Sequence, residues 1–125
     1  MSAAVVDASL VLAWLQGESG ADDAEPHLME GFIGAANWSE VLQKSRQHGA
    51  PADLVGRLLA SFGLTVVHVT ADDAERAAAI WRPGTSLSLA DRLCIALGLR
   101  LDLPVATADA AWADEPQAPR VIVIR

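Results

Sequence analysis

The spacing of apolar and polar residues changes several times along the chain, and each change marks a new element. Residues 3–6 form a short apolar run that stops at Asp7, and residues 9–15, Ser-Leu-Val-Leu-Ala-Trp-Leu, follow at once, apolar on nearly every side. This reads as a buried strand feeding a buried helix. An acidic turn over 17–25 and a short helix then lead to a weak strand near 31–34. A helix from about 36 to 48 carries Trp38, Val41 and Leu42 on one face and is closed by Gly49. Pro51 and Gly63 bracket the next helix, about 52–62, in the usual order of Pro at the start and Gly past the end.

Segment 65–69 is short and β-branched, hence a strand, and Thr70 with the acids behind it opens an alanine-rich helix over 71–81. Arg82-Pro83-Gly84 breaks that helix. Ser88 caps a long one reaching about 101, residues 104–107 make a fourth strand, and 121–124 make the last. Strands alternating with helices predict an α/β/α sandwich around a central, mostly parallel five-stranded sheet.

Composition narrows the picture. The 125 residues, 52% hydrophobic and 20% charged, suffice for one packed domain spanning 1–125 without disulfides. Repeats, low-complexity tracts and interdomain linkers are absent. Cys94, the one cysteine, lies in the apolar stretch Leu-Cys-Ile-Ala-Leu and reads as a small core residue. No Lys or Arg precedes the N-terminal apolar run, so it is not a signal peptide. No stretch nears the twenty or so uninterrupted apolar residues of a membrane span, so a cytoplasmic protein is expected. The net charge of −7 weighs against a nucleic-acid binder. That weight lessens if some of the acids hold cations that meet phosphate themselves, and the other acids cluster in 18–30, free to face away from a substrate.

Ligands of open parallel sheets bind beyond the carboxyl ends of the strands, where strand order reverses. Asp7 directly follows the first strand and Asp109 lies just past the fourth. Glu40 and Asp91 are expected in the first turns of helices entering the same rim. Each has an architectural explanation: Asp7 and Asp109 as helix caps, Glu40 in an exposed pair with Lys44, Asp91 in a capping box with Ser88. Together they form a repulsive cluster whose only basic neighbour is Arg92, and a hard divalent cation relieves that repulsion. A donor set of oxygens favours Mg²⁺ or Mn²⁺ over Zn²⁺. His27, His48 and His68 share no metal-ligand spacing and read as surface or packing residues.

Over nearly its whole length the chain resembles the PIN-domain family. The resemblance rests on Val-Val-Asp-Ala-Ser at the N-terminus, Asn-Trp-Ser-Glu-Val-Leu in the third helix, Ser-Leu-Ala-Asp-Arg-Leu-Cys-Ile-Ala-Leu-Gly in the long helix and Pro-Val-Ala-Thr-Ala-Asp after the fourth strand. These match the family's four acidic positions in order, as Asp7, Glu40, Asp91 and Asp109, and the compact length is similar to VapC-type toxins of bacterial VapBC pairs. The resemblance implies a Mg²⁺- or Mn²⁺-dependent endoribonuclease in which Asp7, Asp91 and Asp109 hold one or two ions and Glu40 binds metal or orients the attacking water. It also implies a VapB-type antitoxin and a homodimer as partners.

Around these four, Ser9 and Thr107 are placed to hydrogen-bond ligands or water, or to stabilise turns. Arg92 is placed to touch phosphate or hold Asp91, and Asp114 to add a peripheral carboxylate. Two other readings compete. A haloacid-dehalogenase-like phosphatase also places an Asp after its first strand, but it wants D-x-D and a downstream lysine. Here the third position is Ser9 and the one lysine is Lys44. A non-catalytic PIN module would be favoured by a missing acid, and all four are present.

Overall fold

The computed structural model describes residues 3–125. Five strands, β1 (Val5–Val6), β2 (Phe32–Gly34), β3 (Thr65–Val67), β4 (Val105–Thr107) and β5 (Val121–Val123), pair in the order β3-β2-β1-β4-β5. Every pairing is parallel, so the mostly parallel sheet expected from sequence is wholly parallel. The chain builds outward from β1 to β3 and then returns to lay β4 and β5 on the other side of β1. The order therefore reverses between β1 and β4, the position at which open α/β sheets bind ligands.

Alternate strand residues feed two cores. Val6, Ile33 and Ala106 pack with helices α1 (Ala8–Leu15), α2 (Ala21–Leu28), α3 (Ala35–Gln47) and α4 (Ala52–Ser61) on one face. Val5 and Val105 pack with α5 (Ala71–Ile80), α6 (Leu89–Leu101) and Trp112 on the other. Burial of both faces explains why β1 and β4 read as continuous apolar runs instead of alternating ones. Gly98 permits α6 to lie against β4, since a Cβ there would meet Val105 Cγ1 at 2.7 Å. A helix interior normally disfavours glycine by roughly 0.5–1 kcal/mol relative to alanine, so this close approach is the reason for one here.

Most boundaries fall within a residue or two of those expected, and one helix starts earlier. The short helix expected after an acidic turn over 17–25 begins inside that turn, as α2, opened by Asp22 and Asp23 in its first turn, where the helix dipole favours them, and anchored by buried Ala24 and Leu28 at i, i+4 spacing. Pro26 inside it and an acidic outer face disguised the pattern. The strand expected over 65–69 ends at Val67, because β2, its one neighbour, offers register partners only as far as Gly34.

Candidate active site

Strand register builds the centre of the site. Val6 is paired with Ala106, which sets Asp7 beside Thr107 as the two chains leave the sheet, and the Asp7 N–H still donates to the Ala106 carbonyl at 3.2 Å. Asp7 is buried and accepts three hydrogen bonds, one fewer than a carboxylate can take. It caps α1 by accepting the Leu10 N–H at 3.0 Å, and it accepts the Thr107 hydroxyl at 2.7 Å. The Ser9 hydroxyl lies 2.9 Å from both of its oxygens and carries a single proton to give. Ser9 in turn accepts the Ala108 N–H at 3.1 Å, and Thr107 accepts the Asp109 N–H at 3.0 Å. The two hydroxyls thus join the end of β1 to the end of β4 through the carboxylate between them.

Asp109 caps the short 3₁₀ helix η1 (Ala110–Asp114) by accepting the Ala111 N–H at 3.0 Å, and its side chain is exposed. Asp91 forms the capping box expected with Ser88: Ser88 N–H donates to Asp91 at 2.9 Å and Asp91 N–H to the Ser88 hydroxyl at 3.1 Å. Glu40 is one turn deeper in α3 than expected, since that helix starts at Ala35 directly after β2 and has no acid in its first turn. The architectural roles of Asp7, Asp91 and Asp109 are therefore all realised, and they fix carboxylates that share one region. Asp91 acts electrostatically on Asp7 and Glu40, Asp109 acts on Asp91, and the buried Cys94 thiol is raised by its burial and then by Asp7, Asp91 and Glu40 together.

Mutual repulsion and burial leave three of these groups hard to ionise. Burial is the main cause of an Asp7 carboxyl raised to about 6, offset in part by the hydrogen bonds from Thr107, Leu10 and Ser9. Asp91 is raised by burial against the opposing hydrogen bonds of Ser88, with Asp109 adding to the rise and Arg92 opposing it. Glu40 is raised by burial and then by Asp91, which the charge of Lys44 only partly offsets. The salt bridges among the described residues, Arg82–Glu115, Arg100–Asp73 and Arg125–Glu18, use none of the four.

Arg92 does not hold Asp91 as sequence suggested. Its Nη1 donates 2.9 Å to the Ala77 carbonyl on α5 and its Nε is buried without a partner, so the side chain ties α6 to α5. Asp114 stands apart as well, lining a separate cleft with Arg82, Ser86 and Glu115. Two residues escaped the sequence reading. Asn37, almost wholly buried, donates 3.2 Å to the Ala90 carbonyl and so joins α3, which bears Glu40, to the start of α6, which bears Asp91. A polar residue one turn before Glu40 and next to Trp38 was the available signal. Arg82 pairs at 2.9 Å with the buried Glu115, joining the loop before α6 to the end of η1.

The donor set suits a hard cation. It is all carboxylate and hydroxyl oxygen, and repulsion among its members is relieved by positive charge. Among the described residues no three His, Cys, Asp or Glu side chains are gathered closely enough to hold an ion by themselves. An ion held there would keep several waters, as Mg²⁺ does, and take only one or two carboxylates directly.

A family model described as PIN domain matches residues 4–115. The chain belongs to the PIN-domain family. Several solved structures share the fold of this PIN domain. A chain of a toxin–antitoxin complex from Klebsiella pneumoniae is 22% identical, with a TM-score of 0.77 over 98% of each chain. The Mycobacterium tuberculosis toxin VapC20, described as cleaving the sarcin–ricin loop, is 16% identical, with a TM-score of 0.72 over 94% of this chain and 99% of that one. A DNA-bound VapBC from Salmonella typhimurium is 15% identical, with a TM-score of 0.73 over the full length of both chains. No curated protein sequence matches the chain.

Proposed function

We propose that this PIN domain is a metal-dependent endoribonuclease, the toxin of a type II toxin–antitoxin pair of the VapBC kind. The observation that carries the reading is the placement of Asp7 and Asp109 just past β1 and β4, where strand order reverses, with Asp91 near enough to act electrostatically on Asp7 and Glu40 and to be acted on by Asp109, and with none of the four in a salt bridge among the described residues. The fold neighbours support it, one a chain of a toxin–antitoxin complex and one a toxin described as cleaving the sarcin–ricin loop.

Asp7, Asp91 and Asp109 would hold Mg²⁺ or Mn²⁺, one or two of them directly and the rest through its waters, with Glu40 as a further ligand or as the group that orients water. The bound cation supplies charge for the phosphodiester and makes water a better nucleophile near neutral pH. The chain's own residues do the positioning. Ser9 and Thr107 hold the Asp7 carboxylate in one orientation, and Thr107 ties that orientation to the Asp109 backbone. Ser88 does the same for Asp91. Asn37 keeps the helices bearing Glu40 and Asp91 in register. Ser9, in the position where a phosphatase of the haloacid-dehalogenase kind carries its second aspartate, is committed to Asp7 instead.

The partners on this reading are an RNA, a VapB-type antitoxin and a second copy of the chain, and the place of action is the cytoplasm. Leu54, Leu58, Trp81 and Leu89 leave apolar surface exposed for protein partners. No helix among the described residues is long and apolar enough to cross a membrane. The test is cleavage of RNA by the purified chain: it is expected in Mg²⁺ or Mn²⁺, should stop in EDTA and should resume when Mn²⁺ is restored. Cleavage that persists in EDTA overturns the metal dependence, and failure to cut any RNA in either metal overturns the nuclease.

A further inference from the structure

A concave site lies near Asp91 and Asp109 in the fold and is not used by the chemistry described above. It is a cleft of about 270 Å³ between the loop that leads into α6 and the 3₁₀ helix η1, walled by Arg82, Thr85, Ser86, Leu87, Ala111 and Asp114, with Glu115 below. Its two walls are the walls of the active site continued. Leu87 precedes Ser88, which hydrogen-bonds Asp91, and Ala111 donates its N–H to Asp109. The buried Glu115 fixes Arg82 through Nη1, and Arg82 Nε and Nη2 have no hydrogen-bond partner among the described residues.

The charges in the cleft restrict what it can take. Arg82 is already neutralised by Glu115, and the exposed Asp114 carboxylate adds a negative charge with no partner among the described residues, so a phosphate is disfavoured. A cationic side chain would meet the Arg82 guanidinium. A neutral, planar group with hydrogen-bond donors on its edge suits both charges: its donors point to the Asp114 carboxylate and its face lies on the guanidinium plane. The volume is near the lower end of the range of about 300–1,000 Å³ typical of small-molecule pockets, enough for one base and not for a duplex. Single-stranded RNA is recognised in this way, by unstacked bases hydrogen-bonded at their edges and stacked on aromatic or arginine planes.

We propose that this cleft is a subsite for one unpaired guanine beside the scissile bond, with Asp114 accepting from its N1–H and N2–H₂ and Arg82 stacking on it. Guanine is the base that offers two adjacent donors to one carboxylate, and a bidentate pair of this type discriminates against other bases. The proposal rests on the RNA-cleaving reading of the neighbouring carboxylates, and its test separates the two.

The full chain is titrated, without metal, with guanosine 5′-monophosphate, its inosine counterpart lacking the N2 amine, its adenosine counterpart, and argininamide, while backbone amide shifts are followed. The guanosine nucleotide should move the amides of 85–87 and 111–115, the inosine one should bind more weakly and the adenosine one least. Asp114→Ala should weaken guanosine binding about tenfold or more. In metal-supported cleavage of short single-stranded RNAs differing in one base, the ratio of kcat/KM for guanine over adenine should fall toward one in Asp114→Ala. A chain that cuts RNA but shows no guanosine-dependent shifts, or whose base preference is untouched in Asp114→Ala, overturns the subsite and leaves the nuclease standing. Shifts with argininamide and none with the guanosine nucleotide also overturn it, in favour of a protein side chain. Guanosine binding at these amides by a chain that cuts no RNA supports the cleft as a nucleotide site and removes the nuclease reading instead.

Discussion

Two helices of this domain open with the same local device and differ in everything around it. Helix α5 starts with a capping box of Thr70 and Asp73, helix α6 with one of Ser88 and Asp91, and the hydrogen bonds of the two match to within about 0.2 Å. Burial pushes the Asp73 carboxyl up, but hydrogen bonds from Arg100 and Thr70, with the charge of Arg100, bring it below the ordinary carboxylate range. Asp91 has the same caps and no salt-bridge partner among the described residues, is acted on by Asp109, and is raised. A capping box therefore reports a helix start and says nothing about chemistry. The two acids differ in counter-charge: Arg100 binds Asp73 directly, whereas Arg92 only partly offsets the rise at Asp91 and forms no salt bridge with it.

Substituting each acid by its amide breaks the comparison open. Asp91→Asn is expected to lower RNA cleavage by roughly 10²–10³-fold or more, the scale on which removal of one preorganised electrostatic group acts. It should leave the metal-free fold as stable as wild type or more so, because the cap survives and a repulsion disappears. Asp73→Asn should do the reverse, retaining cleavage while costing about 1–2 kcal/mol, since Arg100 loses its carboxylate but is exposed enough to be partly rehydrated. Cleavage rates and denaturant midpoints of the two variants, compared with wild type, check both halves. A fully active, destabilised Asp91→Asn would make the two boxes equivalent and remove Asp91 from the site.

The same contrast gives stability two opposite dependences on pH. Asp7, raised from 3.8 to about 6, keeps a proton in the folded chain that the unfolded chain has released. Between those values stability falls as pH rises, by on the order of 3 kcal/mol in total, and the penalty is complete above about 6. Asp91 and Glu40, also raised, slope the same way. Asp73, lowered, contributes stability above the ordinary carboxylate value that is lost as pH falls through its own. Metal-free melting temperature should therefore decline through pH 4–6 on the alkaline side and collapse in stronger acid. Asp7→Asn should flatten the decline and leave the acid collapse in place. A wild-type melting temperature that climbs steadily through that window, with no gain from Asp7→Asn at pH 7, contradicts the electrostatic picture.

Much of the fold was legible because the chain is strongly punctuated. Pro51 and Gly63, Arg82-Pro83-Gly84, and the caps at Thr70 and Ser88 mark element ends by local chemistry that tertiary contacts did not override. The positions of Asp7, Asp91 and Asp109 in the fold were legible for the same reason, since strand ends and a helix start follow from local pattern and the ends of β1 and β4 must lie at one rim in a parallel sheet, whereas Glu40 lies deeper in α3 than a helix-start acid. Side-chain aim was not. Whether Arg92 turns to Asp91 or to Ala77 depends on where α5 packs against α6, which no local spacing encodes. Asn37 and the Arg82–Glu115 pair were hidden because each acts across 33 residues or more of chain. Helix α2 was expected only as a short helix after the acidic turn, and its early start at Ala21 was obscured because two buried residues are too few to raise a periodic signal above its acids.

Paramagnetic Mn²⁺ bears most directly on the claim that the rim acids act as one cation site. Titrated into the full chain at substoichiometric amounts while backbone amide signals are followed, it should broaden amides around Asp7, Asp91 and Asp109 first, and those around Asp73 and the acidic 18–30 segment late or not at all. In Asp91→Asn the rim broadening should need much more Mn²⁺. Broadening that begins in the 18–30 segment, or that is the same at the rim in wild type and Asp91→Asn, would contradict the account.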